Sequence, residues 1–320
     1  MTWYLVVAVF ISSCLILAWL GSSLIKSLVQ IAKFLRWREF IIASFVMALA
    51  TSLPNFFVDF NAVFQGLPEI ALGDIIGGNL VDLTLVLAIA VFFTKKGLSA
   101  DSEMVQKSAV FTSAVAVLPL LLMADSRLSR VDGFILILSF WCYAVWLFSE
   151  RARFTKIYDD NKQMSAQGFK NFLKNLTKAV ILIALLLASS QAVVSSAQFF
   201  SYKLGISLSL VGILIIGLGN AFPEIYFSII SARKGKNWLI LGELMGSIIV
   251  CATLVLGIIA FIVPFSITDL SPFLVSRIFL VVAALFALLV IKTGRKILKK
   301  EGLLLLFIYI IFLVTEIFIS

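Results

Sequence analysis

The residues in this sequence that could do chemistry are carboxylates, amides and hydroxyls set inside long apolar segments. Asp82 and Glu224 carry charge in such segments, and an ionisable side chain inside an apolar span is costly and indicates a functional site. Side-chain oxygens of these kinds are the ligands that hard cations such as Ca²⁺ prefer. The sequence contains no histidine, so histidine metal sites and histidine proton relays are excluded.

Two prolines mark the places where backbone oxygens would join these side chains. Pro54 is followed by Asn55, and Pro223 is followed by Glu224. A proline inside a helix removes a backbone hydrogen bond, and in lipid this is tolerated only where protein, water or an ion satisfies the freed groups. The sequence therefore predicts helix breaks with cation ligands beside them, and the residues just before the prolines offer further oxygens: Thr51, Ser52 and Asn220.

The elements that must position these residues are membrane-spanning helices. Of the 320 residues, 62% are hydrophobic and 13% are charged, and the apolar residues come in runs of about twenty, the length that a helix needs to cross the hydrocarbon core. The sequence predicts an all-α, polytopic membrane protein with ten transmembrane helices. The predicted spans are 3–24, 40–64, 70–93, 106–123, 132–149, 177–199, 206–232, 238–263, 273–291 and 302–319.

An internal repeat relates the first five spans to the last five. We assign 1–149 and 177–320 to two five-helix repeats and 150–176 to a cytoplasmic linker. A shift of 169 residues aligns Leu49–Phe92 with Leu218–Phe261, with 13 identities among 44 positions, several of them glycine or proline. Because five is odd, the second repeat enters the membrane from the opposite side, and a 5+5 inverted-topology repeat is an architecture of transporters with a site near the midplane.

The distribution of basic residues predicts the orientation. The net charge is +9, and 22 of the 26 Lys and Arg residues fall in the loops on one side of the predicted membrane. Cytoplasmic loops carry such an excess, so we expect a multi-pass protein of the cell (inner) membrane with both termini outside. The basic residues lie between the apolar spans and do not form one basic stripe, which argues against a nucleic-acid partner. The expected partner is the lipid bilayer.

The motifs inside the repeat are similar to those of a known family. Thr51-Ser52-Leu53-Pro54 is followed by Gly77, Asn79 and Asp82, and the second half carries Pro223-Glu224 followed by Gly246-Ser247. In these motifs the sequence resembles the cation/calcium exchanger superfamily, which includes the sodium/calcium exchangers, as a divergent member. The resemblance implies four central ion ligands, one on each motif helix: Asn55, Asp82, Glu224 and Cys251. The full set of predicted cation-binding residues is Thr51, Ser52, Asn55, Asp59, Asn79, Asp82, Asn220, Glu224, Ser247 and Cys251.

Several acidic and neutral positions depart from the family pattern or allow more than one interpretation. The family has glutamate where Asn55 stands and Asn or Asp where Cys251 stands; a soft sulfur suits hard cations poorly, so a packed small residue is the favoured interpretation of Cys251. Asp59 lies four residues after Asn55 on the same helix face, where it would restore a third carboxylate, cap a broken helix or reach a vestibule. Asp74 and Glu243 follow equivalent glycines, and we interpret them as stabilising helix N-termini, with an access path as the alternative.

The sequence as a whole predicts a secondary active cation antiporter that exchanges Ca²⁺ for Na⁺ or H⁺ by alternating access, and not an enzyme. We expect a monomer with no cofactor beyond the transported Ca²⁺, Na⁺ or H⁺. A degenerate, non-transporting paralogue or membrane ion sensor is the alternative, because of the missing glutamate at Asn55. A channel is disfavoured by the paired repeats. An intramembrane aspartyl protease, suggested by Gly73-Asp74, lacks a second aspartate after a tyrosine in a facing span.

Overall fold

The computed structural model describes residues 3–34, 48–149 and 166–319, and these are almost entirely helical. The first half contains α1 (Trp3–Phe34), α2 (Ala48–Phe64), α3 (Pro68–Val81), a π-helical segment (Asp82–Val86), α4 (Leu87–Phe92), β1 (Leu98–Ser99), α5 (Glu103–Leu122), a 3-10 turn (Met123–Asp125), β2 (Arg127–Leu128) and α6 (Arg130–Ser149). The second half contains α7 (Ala166–Leu204), α8 (Leu208–Leu210), a π-helical segment (Val211–Ile216), α9 (Gly217–Asn220), α10 (Phe222–Arg233), α11 (Asn237–Ile249), a π-helical segment (Val250–Val255), α12 (Leu256–Ile262), β3 (Phe265–Ser266), a 3-10 turn (Ser271–Phe273), α13 (Leu274–Gly294), β4 (Lys296–Ile297) and α14 (Lys299–Ile319).

The helices have the length and composition of membrane spans. Within the described ranges, nine helical stretches are long and apolar enough to cross a membrane. The remaining predicted span, 40–64, begins outside the described residues, and α2 forms its second part. Large apolar side chains such as Leu15 and Trp141 are more than half exposed on the outer helices, as suits a surface that faces lipid rather than water. The prediction of an all-α, polytopic membrane protein is confirmed.

The two halves share their strands and the helices around the second motif in the same order. The π-helical segments Asp82–Val86 and Val250–Val255 occupy matching places. In both halves a threonine hydroxyl donates to a carbonyl one turn earlier, from Thr84 to Leu80 and from Thr253 to Ile249. Short π-helical turns of this kind are rare and often lie at functional sites, and here both follow the helices that carry the second motif of each repeat.

Two short strand pairs join the halves and reveal their relative direction. β1 pairs with β4, and β2 pairs with β3, both antiparallel. A single spanning helix, α5, separates β1 from β2, so these two strands lie at opposite membrane faces. β4 shares the face of β1, although β4 is the counterpart of β2 in the repeat. Equivalent elements therefore lie at opposite faces, which is the inverted arrangement that the odd span count predicts.

Glycines let the halves touch backbone to backbone beside α3. A Cβ on Gly77 would lie 2.8 Å from the Cα of Ile213 and would clash with the carbonyl oxygen of the same residue. A Cβ on Gly212 would lie 3.1 Å from the Cα of Gly73. Glycine at these positions therefore allows α3 to pack directly against Val211–Ile216, and this contact brings the polar residues of one half close to those of the other.

The two motif prolines differ in their local structure. In the second half α9 ends at Asn220 and α10 begins at Phe222, so the helix is interrupted at Ala221, next to Pro223. In the first half α2 continues through Pro54. The predicted helix break is present in the second half and absent from the described part of the first.

The predicted linker and the helix after it have different bounds in the structure. Residues 150–165 of the predicted linker lie outside the described residues. α7 begins at Ala166, so the rest of the segment up to 176 is helical and continuous with the sixth span.

Candidate cation site

A polar cavity of about 310 Å³ lies between α2, α3, α9, the beginning of α10 and the π-helical segment Val250–Val255. Both halves of the repeat contribute to it, as expected for a site near the interface of an inverted repeat. The cavity is lined by Asn55, Asp59, Asp74, Ile75, Gly78, Asn79, Asp82, Gly217, Ala221, Glu224 and Cys251.

A first acidic group consists of Asp82, Glu224 and Glu243. These residues come from both halves, and only 6%, 2% and 0% of their respective surfaces are exposed. The charge of Asp82 interacts with those of Glu224 and Glu243, so the three carboxylates lie near one another. Asp82 Oδ1, Glu224 Oε2 and both Glu243 carboxylate oxygens have no hydrogen-bond partner among the described residues. They are therefore available to a cation or a proton.

A second acidic group consists of Asp59 on α2 and Asp74 on α3. Both are buried, and their carboxylates lie beside each other. The side-chain nitrogen of Asn220, in the other half, donates to Asp74 Oδ2 at 2.7 Å. This leaves three carboxylate oxygens without a hydrogen-bond partner in the described part of the chain, namely Asp74 Oδ1 and both oxygens of Asp59.

Hydroxyl, amide and thiol side chains surround the two acidic groups. Ser247 lies beside Asp82, and Thr51 lies beside Glu243. Thr51 donates its hydroxyl hydrogen to the carbonyl of Ala48 at 3.1 Å, so its oxygen keeps lone pairs for another partner. The other neutral residues of the predicted set lie at the cavity or next to it: Ser52, Asn55, Asn79 and Cys251. The structure thus brings all ten predicted site residues into one region.

No basic side chain balances these carboxylates inside the protein, within the part that the structure describes. The buried polar residues there include five carboxylates around the cavity and no lysine or arginine. Unpaired buried charge is strongly destabilising, so the site needs cations or protons as partners. No three acidic or cysteine side chains of the described residues converge as a preformed metal site, and cation binding here must draw on amide, hydroxyl and backbone oxygens as well.

Asp74 and Glu243 belong to the site in a way that the sequence interpretation missed. α3 begins at Pro68 and α11 at Asn237, so both acids lie in the second turn and not at the helix N-terminus. They are 1% and 0% exposed. The favoured interpretation of both residues as stabilisers of helix N-termini is wrong. Their equivalence in the repeat also suggested the alternative, an access path, and Asp74 lines the cavity. Cys251 is buried, as a packed small residue would be, and it also lines the cavity.

A second cavity, of about 350 Å³, reaches Asp82 from the other direction. Along the chain it continues from Asp82 to Leu83 and Leu87, away from Asp74. Its lining is almost entirely apolar and comes mostly from α5, α11 and α13. Asp82 is therefore the residue at which the polar and the apolar cavity meet.

Comparison with known proteins gives consistent matches over nearly the whole chain. The family model described as sodium/calcium exchanger protein matches residues 5–149 and 176–318. The protein CaxA of Alkalimonas amylolytica is 27% identical over 311 residues, which are 96% of this chain and 97% of that protein. The sodium/calcium exchanger MaX1 of Methanosarcina acetivorans is 24% identical over 330 residues, with 92% of this chain and 93% of that protein covered. A solved structure of the sodium-calcium exchanger NCX_Mj, soaked with Na⁺ and Sr²⁺, has the same fold, with a TM-score of 0.68, 21% identity and coverage of 98% of this chain and 99% of that chain.

Proposed function

Because the chain belongs to the sodium/calcium exchanger family, whose model spans both halves, we propose that it exchanges Ca²⁺ for Na⁺ or H⁺ by alternating access. It is a multi-pass membrane antiporter of cations and not an enzyme. One observation carries the proposal for the site. Carboxylates from both halves face a common buried region in which the described residues supply no basic partner.

The transport site in this proposal is centred on Asp82 and Glu224. Each carboxylate comes from a different half and has an oxygen without a hydrogen-bond partner in the described part of the chain, so a cation between them balances negative charge that is costly to bury unpaired. Ca²⁺ takes six to eight oxygen ligands, and the neighbouring neutral groups complete such a shell. These are Thr51, Ser52, Asn55, Asn79 and Ser247, with Cys251 as a weak ligand. Asn220 and the carboxylate of Asp59 lie further along the same cavity, beside Asp74.

Alternating access has support in the position of Asp82 between two cavities. Along the helix that contains Asp82, the polar cavity extends from Asp82 to Asp74, and the apolar one extends from Asp82 to Leu87. In an inverted repeat each half can take the conformation of the other, which moves the opening from one face to the other around a fixed site. A permanently open channel would need no such equivalence of halves.

For the cellular setting we propose the inner membrane, with both termini outside and a single chain as the transporting unit. The 22 basic residues on one predicted side support this orientation. Both residues of β1 and β4 then lie at the cytoplasmic face, and β2 and β3 lie at the outer face, in agreement with the pairing of these strands. The lipid bilayer is the partner of the exposed apolar helix faces.

The test is uptake of radioactive Ca²⁺ into proteoliposomes that contain the full chain. We expect uptake to depend on an outward gradient of Na⁺ or of protons, applied in separate arms. Asp82→Asn and Glu224→Gln keep the shape of each side chain and remove its charge, so each should lower the rate by about 100-fold or more, equivalent to ~2.7 kcal/mol.

The matched control for these variants is Asp269→Asn. Hydrogen bonds from the backbone and side chain of Ser271 hold the pKa of this exposed carboxyl below its usual value, so the control also removes a full charge. It should leave uptake unchanged. No uptake under either gradient, in protein that still binds Ca²⁺, would favour the ion sensor and overturn the antiporter.

A further inference from the structure

Asp82 and the Asp59–Asp74 pair line the polar cavity at different heights along α3 and the π-helical segment that follows it. Asp74 and Asp82 are eight residues apart on one continuous helix, so their Cα atoms are separated by about 12 Å along its axis. Calcium–oxygen bonds are about 2.3–2.6 Å long. An ion held between Asp82 and Glu224 therefore does not take the Asp59–Asp74 pair into the same coordination shell.

The surroundings of the Asp59–Asp74 pair favour a cation-binding site over a chance cluster of acidic residues. Asp59 is 0% exposed, lines the cavity, and has no hydrogen-bond partner for either oxygen among the described residues. Asn220 donates to Asp74 Oδ2 at 2.7 Å, and Asp74 Oδ1 has no hydrogen-bond partner within the ranges that the structure describes. Gly78 lies beside the pair, because a Cβ built on it would be 4.0 Å from Asp74 Oδ1. As a glycine it adds no side chain there. The space in front of the pair stays open to the cavity.

This pair exists in one half of the repeat alone. Asp59 corresponds to Ser228 and Asp74 corresponds to Glu243 under the 169-residue shift. Neither Ser228 nor Glu243 lines the polar cavity. The first half therefore carries a carboxylate at Asp59 that the equivalent position of the second half lacks. Asp59 lies at the Asp74 end of the polar cavity.

We propose that Asp59 and Asp74, with Asp74 oriented by Asn220, form a second binding site for a divalent cation in the same cavity. The inference rests on the proposed function in that it adds a staging site to the transport site at Asp82 and Glu224. One divalent ion between the paired carboxylates neutralises both charges, whereas a single monovalent ion leaves one charge buried and unbalanced. An ion that enters along the polar cavity binds at this site before it reaches the transport site.

Equilibrium binding of radioactive Ca²⁺ to the purified full chain tests this site without any ion gradient. The wild type should bind two Ca²⁺ per chain. Asp59→Asn and Asp74→Asn should each remove one equivalent and leave the other with its affinity changed less than about threefold, ~0.7 kcal/mol. Asp82→Asn should remove the other equivalent and retain the one at Asp59–Asp74. Asp59→Ser, which installs the residue of the other half, provides a second variant with the same expected loss, and Asp269→Asn should bind as the wild type.

Two outcomes would overturn the proposal. Two Ca²⁺ per chain in the Asp59 and Asp74 variants would show that the pair binds none. Loss of all Ca²⁺ binding in any one of the four site variants would show a single shared site. Failure of the proposed function has a different signature, because a protein that transports nothing but binds two Ca²⁺ would keep this site and lose the antiport.

Discussion

At the scale of single residues, the site carries different side chains at equivalent positions of the two halves. Asn55 occupies the position of Glu224, and Cys251 occupies the position of Asp82 under the same shift. Each half thus contributes one carboxylate to the transport site instead of two. Because the number of charged ligands is one of the factors that set the affinity of a Ca²⁺ site, this composition should give weaker binding than a fully acidic site.

Asn55→Glu tests the effect of charge count directly. The new carboxylate would face the same cavity as Asp82 and Glu224, and we expect the dissociation constant for Ca²⁺ to fall by about tenfold, ~1.4 kcal/mol. Asn55→Gln has the same length without the charge and should change the constant little. Isothermal titration of both variants with Ca²⁺ measures the two dissociation constants. Equal affinities for the two variants would mean that position 55 does not reach the ion.

At the residue scale, some site residues could be predicted from the sequence and others could not. Asp82 and Glu224 could be predicted because Glu224 directly follows Pro223 and Asp82 lies five residues after Gly77, and the repeat preserves both the proline and the glycine. The hydrogen bond from Asn220 to Asp74 joins residues 146 positions apart, and no local sequence pattern predicts it. Asp74 and Glu243 each follow a glycine, and this local pattern suggested helix N-termini, whereas both residues lie inside helices that begin at Pro68 and Asn237.

At the scale of elements, the contact between α3 and Val211–Ile216 decides where the ligands lie. The repeat and the apolar runs predict both segments, but a run that is apolar on every side has no periodicity that would distinguish a π-helical turn from an α-helical one. The π-helical segment Val211–Ile216 precedes the interruption at Ala221. This irregular stretch presents Gly212 and Gly217 to α3, and a regular helix was the only prediction available for it.

Gly77→Ala should disturb this contact. The added methyl group would meet the backbone of Ile213 and not a movable side-chain end, so α3 must shift away from the second half. Overpacking of this kind costs about 1–3 kcal/mol, and we expect a lower melting temperature of the purified protein.

The neighbouring glycine supplies the control for that substitution. Among the described residues, the nearest atom to a Cβ on Gly78 is Asp74 Oδ1 at 4.0 Å, and alanine is the better helix former by up to about 1 kcal/mol. Gly78→Ala should therefore melt at the wild-type temperature or above it. If Gly77→Ala melted like Gly78→Ala, the direct backbone contact between α3 and Val211–Ile216 would be wrong.

At the scale of the whole molecule, the strand pairs make the inverted topology testable from outside the membrane. Lys96 lies just before β1, and the repeat places its counterpart at Phe265 in β3. β2 pairs with β3, with Arg127 opposite Ser266. The side chains of Lys96, Arg127 and Ser266 are exposed, so a cysteine at each position is accessible to a reagent on its own side of the membrane.

Cysteines introduced one at a time at these positions, in a chain without Cys14, Cys142 and Cys251, should report two sides. Arg127→Cys and Ser266→Cys should react with a membrane-impermeant maleimide in intact cells, because β2 and β3 share the proposed outer face. Lys96→Cys should react only after the membrane is permeabilised, since β1 lies at the cytoplasmic face with the basic loops. Reversal of both results would invert the proposed orientation and keep the repeat. Labelling of Lys96→Cys and Ser266→Cys from one and the same side would contradict the inverted repeat itself, and with it the pairing of carboxylates from opposite halves at the centre of the membrane.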